Sequence, residues 1–245
     1  MKHKLTSTTT LHYVKLVLRS ILFVGALILY ILNFAISKEF MHYMYLFLAG
    51  VWVLYAVEIL LRLFPSKIES PGCQKQFEKN YIPINTDSKP NVQSWKKTFI
   101  VFLSWIVLNG IIGVLYFVGI ITQEILILIS LAYGVCDMIC ILFFCPFQTW
   151  IMKNRCCTTC RIYNWDFAMM FTPFVFIPHF YTWSLLGLAL MLLLRWEITL
   201  RMHPERFATN TNDYIACKNC TEKLCCHKRQ LQGFLQKYKD KFWPK

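Results

Sequence analysis

FIVFLSWIVLNGIIGVLYFVGII, residues 99–121, carries no charged side chain from end to end. A helix rising ~1.5 Å per residue needs about 20 apolar residues to cross a hydrocarbon core about 30 Å thick. In that core a continuous helix satisfies its own backbone, so the stretch reads as a membrane span. The rest of the chain reads the same way. Of its 245 residues 56% are hydrophobic and 16% charged, against roughly a quarter charged in ordinary soluble domains.

Outward from residues 99–121, comparable runs cover 17–37, 41–64, 125–147, 167–181 and 183–200. The sequence therefore predicts an all-α polytopic membrane protein with six transmembrane helices. The run 167–181 is the weakest, because Pro173 and Pro178 interrupt it. Such a segment is kinked, tilted or re-entrant, and neighbouring helices must satisfy its freed carbonyls. The resulting organisation is an N-terminal segment with helices one and two (1–64), a polar loop (65–97), helices three and four (98–147), a cysteine loop (148–166), helices five and six (167–201) and a cysteine-rich tail (202–245).

Charge sets the expected orientation. Lys2, Lys4, Lys15 and Arg19 precede or enter helix one; Lys67, Lys75, Lys79, Lys89, Lys96 and Lys97 follow helix two; Lys153, Arg155 and Arg161 follow helix four; the tail is also basic. The alternate connections hold Lys38 as their one cation. By the positive-inside rule both termini and all long loops, the cysteine clusters included, are cytoplasmic. The net charge of +13 then fits an anionic inner leaflet as partner and calls for no nucleic acid.

Of the eleven cysteines, seven fall in two clusters on that face. The pairs Cys157–Cys160 and Cys217–Cys220 each have the CxxC spacing that lets two thiolates wrap one ion. Because a reducing cytosol disfavours structural disulfides, the four are read as metal ligands, for zinc first and an iron–sulfur cluster as the alternative. Cys156, Cys225, Cys226 and His227 are additional candidates. Adjacent thiols near a bilayer, such as Cys156–Cys157 and Cys225–Cys226, are also open to acylation.

Within the spans, polar residues are costly and mark function or packing. Asp137 and Asn109 both fall near mid-bilayer, where they could hydrogen-bond directly, with Tyr133, Cys136 and Cys140 continuing a polar stripe beside Asp137. Glu58 and Arg62, at i and i+4, together with Arg195 and Glu197, suggest an ion-pair girdle. Asp137, Asn109 and Glu58 are the intramembrane candidates for a catalytic or transport role. Asp166, with Asn164, is placed to cap the fifth helix, and His203 is a lesser ligand candidate. In the tail, Leu231, Phe234, Leu235, Tyr238 and Phe242 form the apolar face of an interfacial helix.

No phosphate loop, GxSxG elbow, HExxH or dinucleotide glycine pattern occurs. Two classes of function follow. In one, a metal clasps the cysteine loop to the tail while the helices act in transport, lipid handling or assembly. In the other, a membrane iron–sulfur protein transfers electrons. Metal sensing or trafficking is a third.

Overall fold

The computed structural model describes residues 6–35, 41–85, 88–154, 156–222, 224–225 and 228; of 33–35 and 41–45 the backbone alone is described. The interfacial helix expected in the tail, Cys226 and His227 lie outside the described residues. The described secondary structure is helical, apart from one isolated antiparallel bridge between Pro83 and Asn212.

In chain order the α-helices are α1 (Ser7–Ala35), α2 (Met41–Leu63), the single turn α3 (Pro71–Gln74), α4 (Trp95–Phe117), α5 (Gln123–Leu142), the short α6 (Asp166–Met170) and α7 (Phe180–Met202). Five of them, α1, α2, α4, α5 and α7, are long and apolar enough to cross a membrane. The boundaries move for local reasons. α1 begins at Ser7 rather than near residue 17, because its polar first turns bury their side chains inside the protein. α5 ends at Leu142, short of Pro146, and a π-type turn follows at Phe147–Ile151. Gly119, at φ 83°, takes the left-handed conformation that turns the chain out of α4.

The fifth expected helix is not a single helix. Residues 167–181 divide into α6, a 3₁₀ turn at Thr172–Phe176 with Pro173 in its first turn, and an extended step through Ile177 to His179 that leads into α7. Proline at 173 and 178 removes backbone donors and breaks the α-helical ladder. The freed carbonyls are met by hydroxyls: Thr172 Oγ1 donates to Ala168 O at 2.8 Å, Ser130 Oγ of α5 to Met170 O at 2.8 Å, and Thr182 Oγ1 of α7 to Ile177 O at 2.6 Å. Such backbone survives at membrane depth only when wrapped by protein. Phe167, Met170, Phe171, Phe174 and Ile177 are accordingly all buried.

This broken segment is the axis of the bundle. α5, α7 and α4 pack around it, α1 pairs with α5, and α2 pairs with α7. It starts at Asp166, which is ion-paired to Arg62 at the end of α2, and finishes beside Gln123 and Glu124 at the start of α5. Burial among lipid tails gains little hydrophobic free energy, so close packing and polar pairs hold such a bundle together.

At the Arg62 end, the polar segments fold into one cap. Lys75 Nζ donates to Thr158 O at 2.8 Å and Cys160 O at 3.1 Å, and sits 5.2 Å from the Trp196 ring centre. Trp196 Nε1 donates to Arg161 O at 2.7 Å, while Asp213 N donates to Ile82 O at 2.8 Å. The loop after α2 is thus an integral part of a small core that includes Cys73, Cys157, Cys160, Trp196 and Phe207.

Candidate functional site

Where the cap meets the helices, a cavity of about 300 Å³ opens. Five cysteines line it: Cys136 and Cys140 from α5, Cys145 just beyond that helix, and Cys157 and Cys160 from the cysteine loop. Two carboxylates, Asp137 and Asp166, face the same space, and Trp105, Tyr133 and Phe147 form an aromatic wall. The rings of Trp105 and Tyr133 lie 4.7 Å apart.

The thiols take their places for local reasons. Cys136 and Cys140 are one helical turn apart on α5. Where α5 stops, the chain reverses and brings Cys145 to the cavity that Cys140 also lines. Gln148 N donates to Cys145 Sγ at 3.4 Å. Lys153, at φ 51°, and Asn154, whose Nδ2 donates to Cys156 O at 2.9 Å, bend the cysteine loop back. Cys157 Sγ then reaches Gln148 Oε1 at 3.4 Å and accepts from Lys228 Nζ at 3.2 Å.

The environments separate the thiols chemically. Burial pushes Cys160 and Cys73 up to about 12, and Cys157 up to about 11 in spite of Lys228. Cys145 moves the other way. The neighbouring Cys140 thiol, together with the Gln148 amide and nearby Lys228, outweighs burial and holds it below the ordinary thiol value. The thiolate is the nucleophilic form, and among Cys73, Cys145, Cys157 and Cys160 the surroundings of Cys145 favour it most.

Behind the carboxylates runs a buried ionic network. Arg19 donates to Glu58 at 2.7 Å, to Asp137 at 2.9 Å and to Gly134 O at 3.0 Å. Arg62 is paired with Asp166 and lies 3.6 Å from Glu69, which Lys15 meets at 2.7 Å. The Phe167 ring stands between the two guanidinium groups, 5.5 Å from Arg19 and 4.6 Å from Arg62. Nearby, Glu222 lies 3.5 Å from His12 and accepts from Thr158 at 3.2 Å. Close packing fixes the network: a Cβ added at Gly134 would lie 2.7 Å from Met170 Sδ and 2.8 Å from Tyr55 Oη.

Several sequence expectations are corrected by these contacts. Asp137 pairs with Arg19 rather than Asn109, whose Nδ2 donates to Trp105 O on its own helix. Glu58 pairs with Arg19 and not with Arg62 four residues on, because both side chains find better-placed partners across helices. Glu197 receives Arg161 and the Trp165 indole, while Arg195 donates to Leu63 O, so the four do not form a girdle. Asp166 serves Arg62 rather than capping α6, and Asn164 makes no cap either. His203 meets Glu205 at 3.1 Å.

The two CxxC pairs also part. Cys157 and Cys160 are buried against the cavity, and Cys160 N closes a tight turn on Cys157 O at 2.9 Å. Cys217 is exposed and Cys220 half-buried beside Lys218, on a different groove that includes Thr6 and Glu69. Cys156 and Cys225 are half-buried. Among the described residues no group of three or more His, Cys, Asp or Glu side chains is placed to hold a metal ion.

What sequence reading missed was the role of α1. Thr9, His12, Lys15 and Arg19 are all buried. Their spacing of three, three and four residues draws one polar stripe along an otherwise apolar helix. That spacing was the available signal.

No protein-family model matches the chain, and comparison with curated proteins and with solved structures likewise finds no match.

Proposed function

We propose that this chain is an integral membrane protein carrying a dithiol–disulfide redox site, with Cys140 and Cys145 as the exchanging pair. The observation that carries the reading is that these two thiols, five residues apart across the end of α5, line one cavity shared with Asp137 and Asp166. Forming the disulfide removes two protons and two electrons. Cys145, the more acidic thiol, is the nucleophile; Cys140 closes the bond; Asp137 and Asp166 face the cavity as acceptors for the released protons. The buried, neutral Cys157 and Cys160 shape the cavity and do not exchange.

The broken segment is, on this reading, a sixth crossing, and the cysteine end is cytoplasmic beside an anionic leaflet. Supporting the orientation are the lysines and arginines of the segments at that end, with few on the opposite connections. A cytosolic thiol pool then keeps the resting site reduced, and disulfides in that compartment are usually transient and catalytic or redox-sensing. A metal held by these thiols, zinc or an iron–sulfur cluster, is the competing proposal, for which the thiol surplus is the support.

The test poises detergent-purified protein in thiol/disulfide buffers of graded potential, alkylates the free thiols and maps the peptides. One two-electron transition assigned to Cys140 and Cys145, abolished by Cys145→Ser, is the expected outcome. A transition at another pair, or none within the biological range, would overturn the proposal.

A further inference from the structure

A cytosolic thiol pool can reduce the site, but something must oxidise it, and the walls of the cavity indicate the chemistry. α4 packs mainly on the Phe147–Ile151 turn and on Thr172–Phe176 rather than along α5. The gap between α4 and α5 is bridged at one level by Trp105 and Tyr133, and Cys136, exposed on α5, marks the margin of the cavity there. Both helices are long and apolar enough to span a bilayer, so an opening between them at this level would face lipid.

Inside, the cavity is sorted by polarity. Trp105, Tyr133, Phe147 and Met169 make an apolar slot, while Asp137, Gln148 and Asp166 supply polar atoms. The Asp166 side chain is 7% exposed, and its Oδ1 is buried without a hydrogen-bond partner. A carboxylate oxygen left unpaired in such surroundings is costly unless a ligand or a proton meets it. The volume of about 300 Å³ lies at the lower end for small-molecule sites, about 300–1,000 Å³.

We propose, building on the dithiol reading above, that a lipid-soluble quinone enters this cavity from the bilayer between α4 and α5 and is the oxidant of Cys140 and Cys145. A planar ring suits the aromatic slot, and its alkyl or isoprenoid tail extends through the gap into lipid. The electrons balance. The Cys145 thiolate adds to a ring carbon, forming a C–S bond; the Cys140 sulfur attacks Cys145, forming S–S as the C–S bond breaks. The electron pair stays on the ring, and the two thiol protons reach its two oxygens through Asp137 and Asp166. The products are a hydroquinone and a disulfide, which thiol exchange from the cytosolic side returns to the dithiol.

The experiment uses the full chain, reduced, in phosphatidylcholine nanodiscs without oxygen. The probe is a fully substituted benzoquinone with an alkyl tail, followed by the absorbance of quinone and hydroquinone, with diamide as a water-soluble oxidant in parallel. Stoichiometric hydroquinone with a Cys140–Cys145 disulfide is expected, and turnover when dithiothreitol is supplied. Cys136→Trp, which obstructs that opening from an exposed position, is expected to slow the quinone reaction severalfold relative to the diamide reaction. If diamide forms the disulfide and quinone does not, the quinone proposal falls and the dithiol reading stands. Failure with both oxidants sinks both. A Cys136→Trp protein as fast as the parent toward quinone would overturn access from the bilayer.

Discussion

The two ends of the bundle hold cavities of similar size and opposite character. The one at the cysteine end, about 300 Å³, is lined by five thiols and two carboxylates. The one at the far end, about 240 Å³, is walled by residues such as Leu29, Phe47, Trp52 and Leu128, and its polar groups include Gln123, Glu124 and His179. The difference lies in what stands behind each wall. The cysteine-end cavity is backed by Arg19 and Arg62, whose side chains are 1% and 2% exposed, and a buried cation of this kind persists only if carboxylates are held to it. The far end has no ionic pair among the described residues that comparably links helices. The thiol cavity therefore comes with the ionic framework that holds the bundle, whereas the other end is shaped by packing and neutral hydrogen bonds such as Thr182 to Ile177.

The sharpest way to break this contrast is to remove a cation. Arg19→Met leaves Glu58 and Asp137 buried without their shared partner, and loss of about 3–5 kcal/mol of stability is expected, read as a fall in melting temperature in detergent. Glu124→Gln at the far end should leave melting unchanged; equal effects would erase the distinction between the ends.

Steric disruption ranks next. Gly134→Val pushes a side chain into Met170 and Tyr55, and overpacking of this kind costs about 1–3 kcal/mol. Leu48→Phe, facing the open far cavity, should change unfolding little. A tolerated Gly134→Val would show that α5 and the broken segment are not in close contact.

Serine substitutions compare the two CxxC pairs. Cys160→Ser places a hydroxyl in an apolar core and is expected to cost about 1–3 kcal/mol. Cys217→Ser, at an exposed site, should stay within about 0.5 kcal/mol. If Cys217→Ser is as damaging as Cys160→Ser, the pairs share an ion whose coordination contributes to folding.

The smallest effect is one of reactivity. A lowered thiol pKa means thiolate is present at lower pH, so Cys145 should be alkylated with an inflection below the ordinary value of 9.0. Cys160, raised to about 12, should remain inert until that range. Iodoacetamide labelling against pH, resolved by peptide mass, checks both.

How far the sequence carries can be judged residue by residue. Continuous apolar runs such as 99–121 announce their helices because the bilayer fixes their length. Pro173 and Pro178 announced trouble in 167–181, yet the depth at which that segment lies depends on Ser130, Thr172 and Thr182 meeting its carbonyls. The stripe of Tyr133, Cys136, Asp137 and Cys140 was legible from helical spacing, and these side chains line one cavity. The Asp137 partner Arg19 was not, because a basic residue near the start of the chain reads equally well as an orientation signal. The CxxC spacing is legible in a different way. Spacing reports local geometry, whereas convergence of two pairs depends on how the whole cap folds.

The most direct test of the dithiol site is to quench intact membranes containing the protein with acid, alkylate in denaturant, and map cysteine pairing before and after a pulse of diamide. The expected result is free Cys140 and Cys145 before the pulse and a disulfide joining them after it, with Cys157 and Cys160 still reduced. A disulfide between Cys157 and Cys160, or Cys140 and Cys145 both remaining free, would contradict it.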